Sequence, residues 1–309
     1  MKNPELRLAA EICNCPRREA ALSDKSSPCH KVVKNQLKVT KEFSEFHRPE
    51  PWIGRLSTAK LLFISSNPGL SVDQGSDREE FPTQSWTPEE SAEFFVERFN
   101  QNRDPVIATF NNPDEPDFLT RSIDGEYRSG GKNPKRPQAT WSGIHKLACE
   151  LLGQMCSPDS DYALTEIIHC KSLMGAGVAE ASDTCADSWM ARILNSSPAN
   201  VLVVIGAKVR DNFANPFLGA PSNFAEANGA AYKMMTQKER AMRDIFLTQY
   251  GGRPRLVVFN WHPTSMEVRG MNHAYGPDVT NWISSVIRGD MVLPQSQDEL
   301  QARIARLDM

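Results

Sequence analysis

Four short apolar runs punctuate an otherwise mixed chain: Lys60–Ser65 (KLLFIS), Ala163–Ile168 (ALTEII), Asn200–Ile205 (NVLVVI) and Arg255–Asn260 (RLVVFN). Each is short, apolar and followed by a polar or turn-forming segment, which predicts strands buried on both faces. Between and after them stand helical patterns at Trp141–Met155, Ala179–Leu194, Lys208–Phe213, Gln237–Tyr250 and Val279–Ile287. Alternation of strand and helix predicts an α/β fold, a three-layer α/β/α arrangement around a four-stranded, mainly parallel sheet. Ser296–Leu307 carries a Ser cap and amphipathic spacing, which predicts a helix that docks on the core or on a partner. Residues 111–137, rich in Asn, Pro, Gly and charge, read as an extended loop.

In a parallel sheet, ligands bind at the carboxyl ends of the strands. The residues that follow the strands therefore matter most. After the first run comes Ser66-Asn67-Pro68-Gly69, a sharp turn that offers an amide side chain. After the last comes Trp261-His262-Pro263-Thr264-Ser265-Met266-Glu267-Val268-Arg269, a histidine held by a proline at a strand end.

Composition bounds the function classes. The 309 residues suffice for one α/β domain with insertions or two modest domains, with 40% hydrophobic and 24% charged residues. No apolar run approaches the ~18 to 20 residues of a membrane helix, and the charged N-terminus lacks a secretory apolar stretch. A cytoplasmic protein is expected. Seven cysteines in such a chain point to metal, iron-sulfur or free-thiol roles before disulfides. The net charge of −3 argues against a polyanion partner until it is divided: residues 61–126 carry −10 and the rest +7. A pair of acids at the strand ends, which glycoside hydrolysis by two carboxylates would need, is absent from the pattern.

Taken together, the strand-end segments resemble the active-site motifs of the uracil-DNA glycosylase superfamily. Ser65–Gly69 is similar to its first motif, apart from a leading Gly, and His262-Pro263-Thr264 is similar to its His-Pro-Ser motif. Leu164–Ser172 (LTEIIHCKS), Cys185 and Asn200–Val209 resemble the intervening blocks in the right order. The resemblance spans roughly residues 55–288, interrupted by 71–138. It implies an N-terminal Cys-containing segment (1–51), a glycosylase-like domain (52–288) with that insertion, and a helical tail (289–309).

The resemblance implies a monomeric enzyme that flips a base from DNA and hydrolyses its glycosidic bond, leaving an abasic site, with no lysine placed to cleave the strand. His262 would donate to the base oxygen, where negative charge develops, and Asn67 would orient the attacking water. Trp141, near Gly143, and Phe81 are the rival stacking aromatics, and Pro68 and Gly69 line the base. Thr264, Ser265, Met266 and Arg269 would form a loop that wedges into DNA, and Lys132, Lys135 and Arg136 would meet phosphates beside an acidic appendage.

The main departure from the family pattern is Glu166, where uracil-reading members carry Asn. An ionised Glu only accepts, so it suits the N4 amine of cytosine and repels O4 of uracil. Unmodified cytosine is everywhere in a genome, so a modified cytosine, such as the glucosylated hydroxymethylcytosine of some phage DNA, is the expected substrate, in anti-phage defence. Uracil is the alternative, with Glu166 paired to Lys171 or protonated. A non-hydrolytic DNA-binding or sensing module on the same scaffold is the alternative of another class. The resemblance also implies a [4Fe-4S] cluster, with Cys170 and Cys185 in motif context and Cys15 and Cys29 completing the set. Cys13 is an alternative to Cys15, zinc is an alternative to the cluster, and Cys149 and Cys156 read as free thiols.

Overall fold

The computed structural model describes residues 3–70, 81–99, 120–121, 127–128, 139–153, 156–157, 160–221, 229–263 and 270–307. All four expected strands are present: β2 (Leu61–Ser65), β5 (Tyr162–Glu166), β6 (Val201–Ile205) and β8 (Arg255–Asn260). They run parallel in the order β5-β2-β6-β8 and are almost completely buried, as β-branched runs without alternation require.

The sheet is nevertheless six-stranded and mixed, not four-stranded. β1 (Trp52–Ile53) adds antiparallel to β5 and β7 (Ile245–Thr248) adds antiparallel to β8, giving the order β1-β5-β2-β6-β8-β7. β7 lies inside the stretch expected to be one helix from Gln237 to Tyr250. The helix, opened by a Thr236/Glu239 capping box, ends at Asp244, and Ile245-Phe246-Leu247-Thr248 pairs with β8 instead. A β-branched and aromatic run loses little on leaving a helix and gains a ladder plus burial, so the tertiary partner overrides the helical spacing. β3 (Thr120–Arg121) and β4 (Tyr127–Arg128) form a separate antiparallel pair.

Helix Ala139–Leu152 packs against helix Pro277–Arg288. Val178–Cys185, a π-turn at Ala186–Met190 and Ala191–Ser196 succeed one another and fill the expected 179–194 helix. The tail helix Gln297–Arg306, capped by Ser296, docks on this chain: Leu300 and Ile304 are fully buried, and Gln301 donates to the Met242 carbonyl. Arg255, fully buried at the start of β8, donates to the carbonyls of Ala199, Tyr250, Gly251, Leu194 and Ser197. It thereby fastens that end of the sheet to the helix and turns beside it.

Residues 81–99 are part of the core rather than of a detached acidic appendage. Helix Pro88–Val96 packs against the N-terminal helix Pro4–Cys13, burying Ala92, Phe94 and Phe95, while Glu89, Glu90, Glu93 and Glu97 face solvent. Periodicity explains both facts: the acids occupy the outer face of an amphipathic helix. Among the described residues no helix is long and apolar enough to cross a membrane.

Candidate functional site

Parallel register brings the strand ends together. Ser65, last in β2, stands directly beside Glu166, last in β5. On the other side of β2 lies β6, which ends at Ile205, and Gly206 at positive φ turns the chain at once and binds the Asn260 carbonyl of β8. Two residues after Asn260 comes His262. A cavity of about 280 Å³ opens over these ends, lined by Asn67, Pro68, Gly69, Phe81, Trp141, Glu166 and His262 among others. Every residue the sequence assigns to catalysis or base contact borders this one cavity. Thr264, Ser265, Met266, Arg269, Lys132, Lys135 and Arg136 lie outside the described residues.

The Asn67 amide is held from both ends. Its Nδ2 donates to the Pro68 carbonyl (2.8 Å) and to Ser172 Oγ (3.1 Å), and Oδ1 accepts from Ser66 Oγ (3.3 Å). This fixes which end is the acceptor and leaves Oδ1 a further lone pair for a water. Ser172, not singled out in the sequence, is therefore a positioning residue; its backbone bridges to Gly69, and its carbonyl accepts from Leu70 N. Burial holds the His262 imidazole below its ordinary pKa, so it is neutral near pH 7 and offers an N–H. Pro263 is packed against helix Ala139–Leu152 at Gly143, where an added Cβ would stand 2.2 Å from the proline Cβ. Only a hydrogen fits there. Trp141 lies in the first turn of that helix and meets Phe99 edge-on at 5.5 Å.

Glu166 departs from the acceptor-only reading. Lys171 does not pair with it: the Lys171 Nζ–Glu50 Oε1 distance is 2.8 Å, both side chains are buried, and the ammonium also donates to the Gly69 carbonyl. Burial pushes the Glu166 carboxyl well above the ordinary glutamate value, and the neighbouring Glu50 charge adds to the rise. Glu166 accepts from Ser65 Oγ on Oε1 (2.9 Å), and the upward shift favours its protonated carboxyl, a form able both to donate and to accept. Glu50 and Lys171 escaped the sequence reading as cavity residues because they pair across 121 positions of chain. The same ammonium sits 3.5 Å from the centroid of Phe81, covering one face of that ring.

Beside Asn67 runs the turn Leu173–Gly175. Met174 has φ of 53°, the one positive value outside glycine among the described residues, and is 95% exposed. Its carbonyl is held by Lys208 Nζ (2.8 Å), and Leu173 N donates to Asn35 Oδ1 (2.7 Å).

The four expected metal cysteines converge. Cys15, Cys29, Cys170 and Cys185 line one small apolar cavity together with Arg17, Arg18, Val32 and Trp189. Cys13 is fully buried and does not line it, so Cys15 is the member of that pair that joins the others. Burial pushes the Cys170 thiol up to about 12 against the opposing pull of Arg18, and raises Cys29 and Cys185 as well. Cys149 and Cys156 are free thiols, as expected, and stand 2.8 Å apart beside His145. Cys149 is pulled down to about 5, first by the Cys156 thiol and then by the imidazole. Among the described residues these three are the group whose ligand atoms all lie within 4.8 Å of one another, a set able to hold a metal.

No family model matches the chain, and no curated protein matches it.

Two outcomes follow from this geometry. Gly143→Ala must move Pro263 or the helix, which is expected to cost about 1–3 kcal/mol in urea unfolding. Glu166 has a folded pKa above its unfolded one, so ionisation of the unfolded chain erodes stability as pH rises from about 4.5 towards the folded value. Glu166→Gln removes that penalty. Its melting temperature is expected to exceed the wild type's at pH 7 and to converge with it below pH 4.5; equal melting temperatures at both pH values would show Glu166 ionised.

Proposed function

We propose that this chain is a monofunctional DNA glycosylase of the uracil-DNA glycosylase type, acting as a monomer on three layers of α/β/α structure. The supporting observation is the convergence of Asn67, His262 and Glu166 with two aromatics on one cavity at the carboxyl ends of the parallel strands. A flipped base enters that cavity and Trp141 stacks on it, since Lys171 covers one face of Phe81. As the bond from C1′ to the base nitrogen breaks, the electron pair passes to the base. Neutral His262 donates a hydrogen bond to the base oxygen where that charge gathers. Asn67 Oδ1 orients a water towards C1′; the water oxygen forms the new bond, its proton is released to solvent or the departing base, and an abasic site remains. The basic Arg128–Arg136 segment and the 264–269 loop supply the DNA contacts.

For the substrate, neutral Glu166 matches the cytosine edge: its O–H donates to N3 and its carbonyl oxygen accepts from N4. A modified cytosine such as glucosylated hydroxymethylcytosine, removed in anti-phage defence, is the leading substrate, because unmodified cytosine has to be spared. The same neutral acid also matches N3–H and O4 of uracil, and this favours uracil excision in base-excision repair as the second reading. Duplexes carrying a single uracil, hydroxymethylcytosine or glucosylated hydroxymethylcytosine, treated with the protein and then alkali, decide between them. Cleavage at a modified cytosine, lost in Asn67→Ala and His262→Ala and retained in Glu166→Gln, is expected. Cleavage at uracil alone would sink the modified-cytosine reading. No cleavage of any duplex, with binding intact in the two alanine variants, would leave a sensing module.

The four-cysteine cavity fits a [4Fe-4S] cluster better than a single zinc. No three of these sulfurs lie within 4.8 Å of one another, whereas thiolates on one ion, with Zn–S of ~2.3 Å, stand closer than that. Cys15, Cys29, Cys170 and Cys185 would hold the cluster, whose place is structural, joining the N-terminal segment to the sheet, and Arg17 and Arg18 would offset its negative charge. Protein purified without oxygen is expected to show broad visible absorbance and about four irons per chain, both lost in Cys170→Ser; folded wild type containing zinc in place of iron would refute the cluster.

A further inference from the structure

Helix Ala139–Leu152 has chemistry at both ends. Trp141 at its start borders the base cavity, and about 12 Å further along, at 1.5 Å per residue, Cys149 closes a second group of side chains. His145 and Cys149 are four residues apart and so share a helix face. Cys156 returns from the connection into β5, and its sulfur lies 3.8 Å from His145 Nδ1, while Cys149 Sγ lies 3.6 Å from Nε2. His145 is 1% exposed, and the two cysteines are half-buried.

We propose that His145, Cys149 and Cys156 form a binding site for one divalent cation of the zinc type, separate from the four-cysteine cavity. The donor set decides the class of ion. One imidazole and two thiolates suit zinc and its borderline-soft relatives and do not suit magnesium or calcium, which take oxygen. A partner outside the site is in place for the imidazole: Tyr162 Oη stands 3.2 Å from Nδ1, and with the ion on Nε2 the Nδ1–H would donate to the phenol. Two thiolates cancel the charge of a divalent cation, so a half-buried neutral assembly results. Sulfurs 2.8 Å apart must separate to flank an ion at ~2.3 Å each, and Cys156, outside any helix or strand, is the one able to move. Water completes a tetrahedron on the exposed side. The ion would clamp the end of the helix to the chain entering β5, setting the rotation of the element that carries Trp141 and Gly143.

The test uses the full reduced chain. Cobalt(II) is titrated into wild type, Cys149→Ser/Cys156→Ser, Tyr162→Phe and Cys170→Ser/Cys185→Ser, and thiolate-to-cobalt absorbance is followed, then displaced with zinc. The expected result is one equivalent bound by wild type, absent from the Cys149/Cys156 variant, kept in the Cys170/Cys185 variant and weakened roughly tenfold in Tyr162→Phe through loss of the outer partner. Equal cobalt absorbance in wild type and the Cys149/Cys156 variant overturns the site. So does a reduced wild type that takes up no cobalt, or one whose Cys149 and Cys156 peptides remain crosslinked. Wild type and Tyr162→Phe decide the matter even where the double variant fails to fold.

Discussion

Everything in the candidate site hangs on four consecutive residues after β5, whose side chains go to different partners. His169 Nδ1 bonds the Glu50 carbonyl, and Glu50 N donates to the His169 carbonyl, so the N-terminal segment is laced to this stretch by its backbone. Cys170 turns to the cysteine cavity, Lys171 to the Glu50 carboxylate at the wall of the strand-end cavity, and Ser172 to the Asn67 amide. The buried ion pair Lys171–Glu50 governs the electrostatics of the whole. One ammonium sits near two acids and pairs with Glu50, while burial and the Glu50 charge push the Glu166 carboxyl up. Removing either member of such a pair strands a charge in a low-dielectric wall, which typically costs about 3–5 kcal/mol. The cysteine cavity and the strand-end cavity are thus lined from one short peptide.

Much of this was legible in the chain. Four apolar runs without alternation pointed to four buried parallel strands at nearly the observed bounds, and the residues after them pointed to the cavity, because a parallel sheet collects its carboxyl ends on one edge. The edge strands were not legible for a physical reason. Trp52–Ile53 is too short to carry a period, and Ile245–Thr248 continues the spacing of a helix that its own side chains leave only because β8 offers a partner. Pairing by tertiary contact was equally hidden. Nothing in the order of residues says that Lys171 prefers Glu50 to Glu166, or that Cys149, His145 and Cys156 meet.

Part of the acidic stretch belongs to the core. The acids of Pro88–Val96 lie on the solvent face of a helix whose other face holds Phe94 and Phe95 in the core. A negative segment therefore need not be a separate body; here part of it packs on the N-terminal helix and delivers Phe81 to the strand-end cavity and Phe99 to Trp141 at its edge.

The turn at Met174 lies behind Asn67, outside the lining of the cavity, and carries strain of its own. A left-handed residue with a Cβ holds roughly 1–2 kcal/mol of backbone strain, and that energy is returned as soon as the turn opens, whereas parting any of the strand ends forfeits ladder hydrogen bonds. Among the described residues two polar tethers oppose it from outside the turn, Lys208 on the Met174 carbonyl and Asn35 on the Leu173 amide. Because Asn67 Oδ1 lies against Gly175 of that turn, an opening there would loosen one neighbour of the amide while the strand ends stay paired.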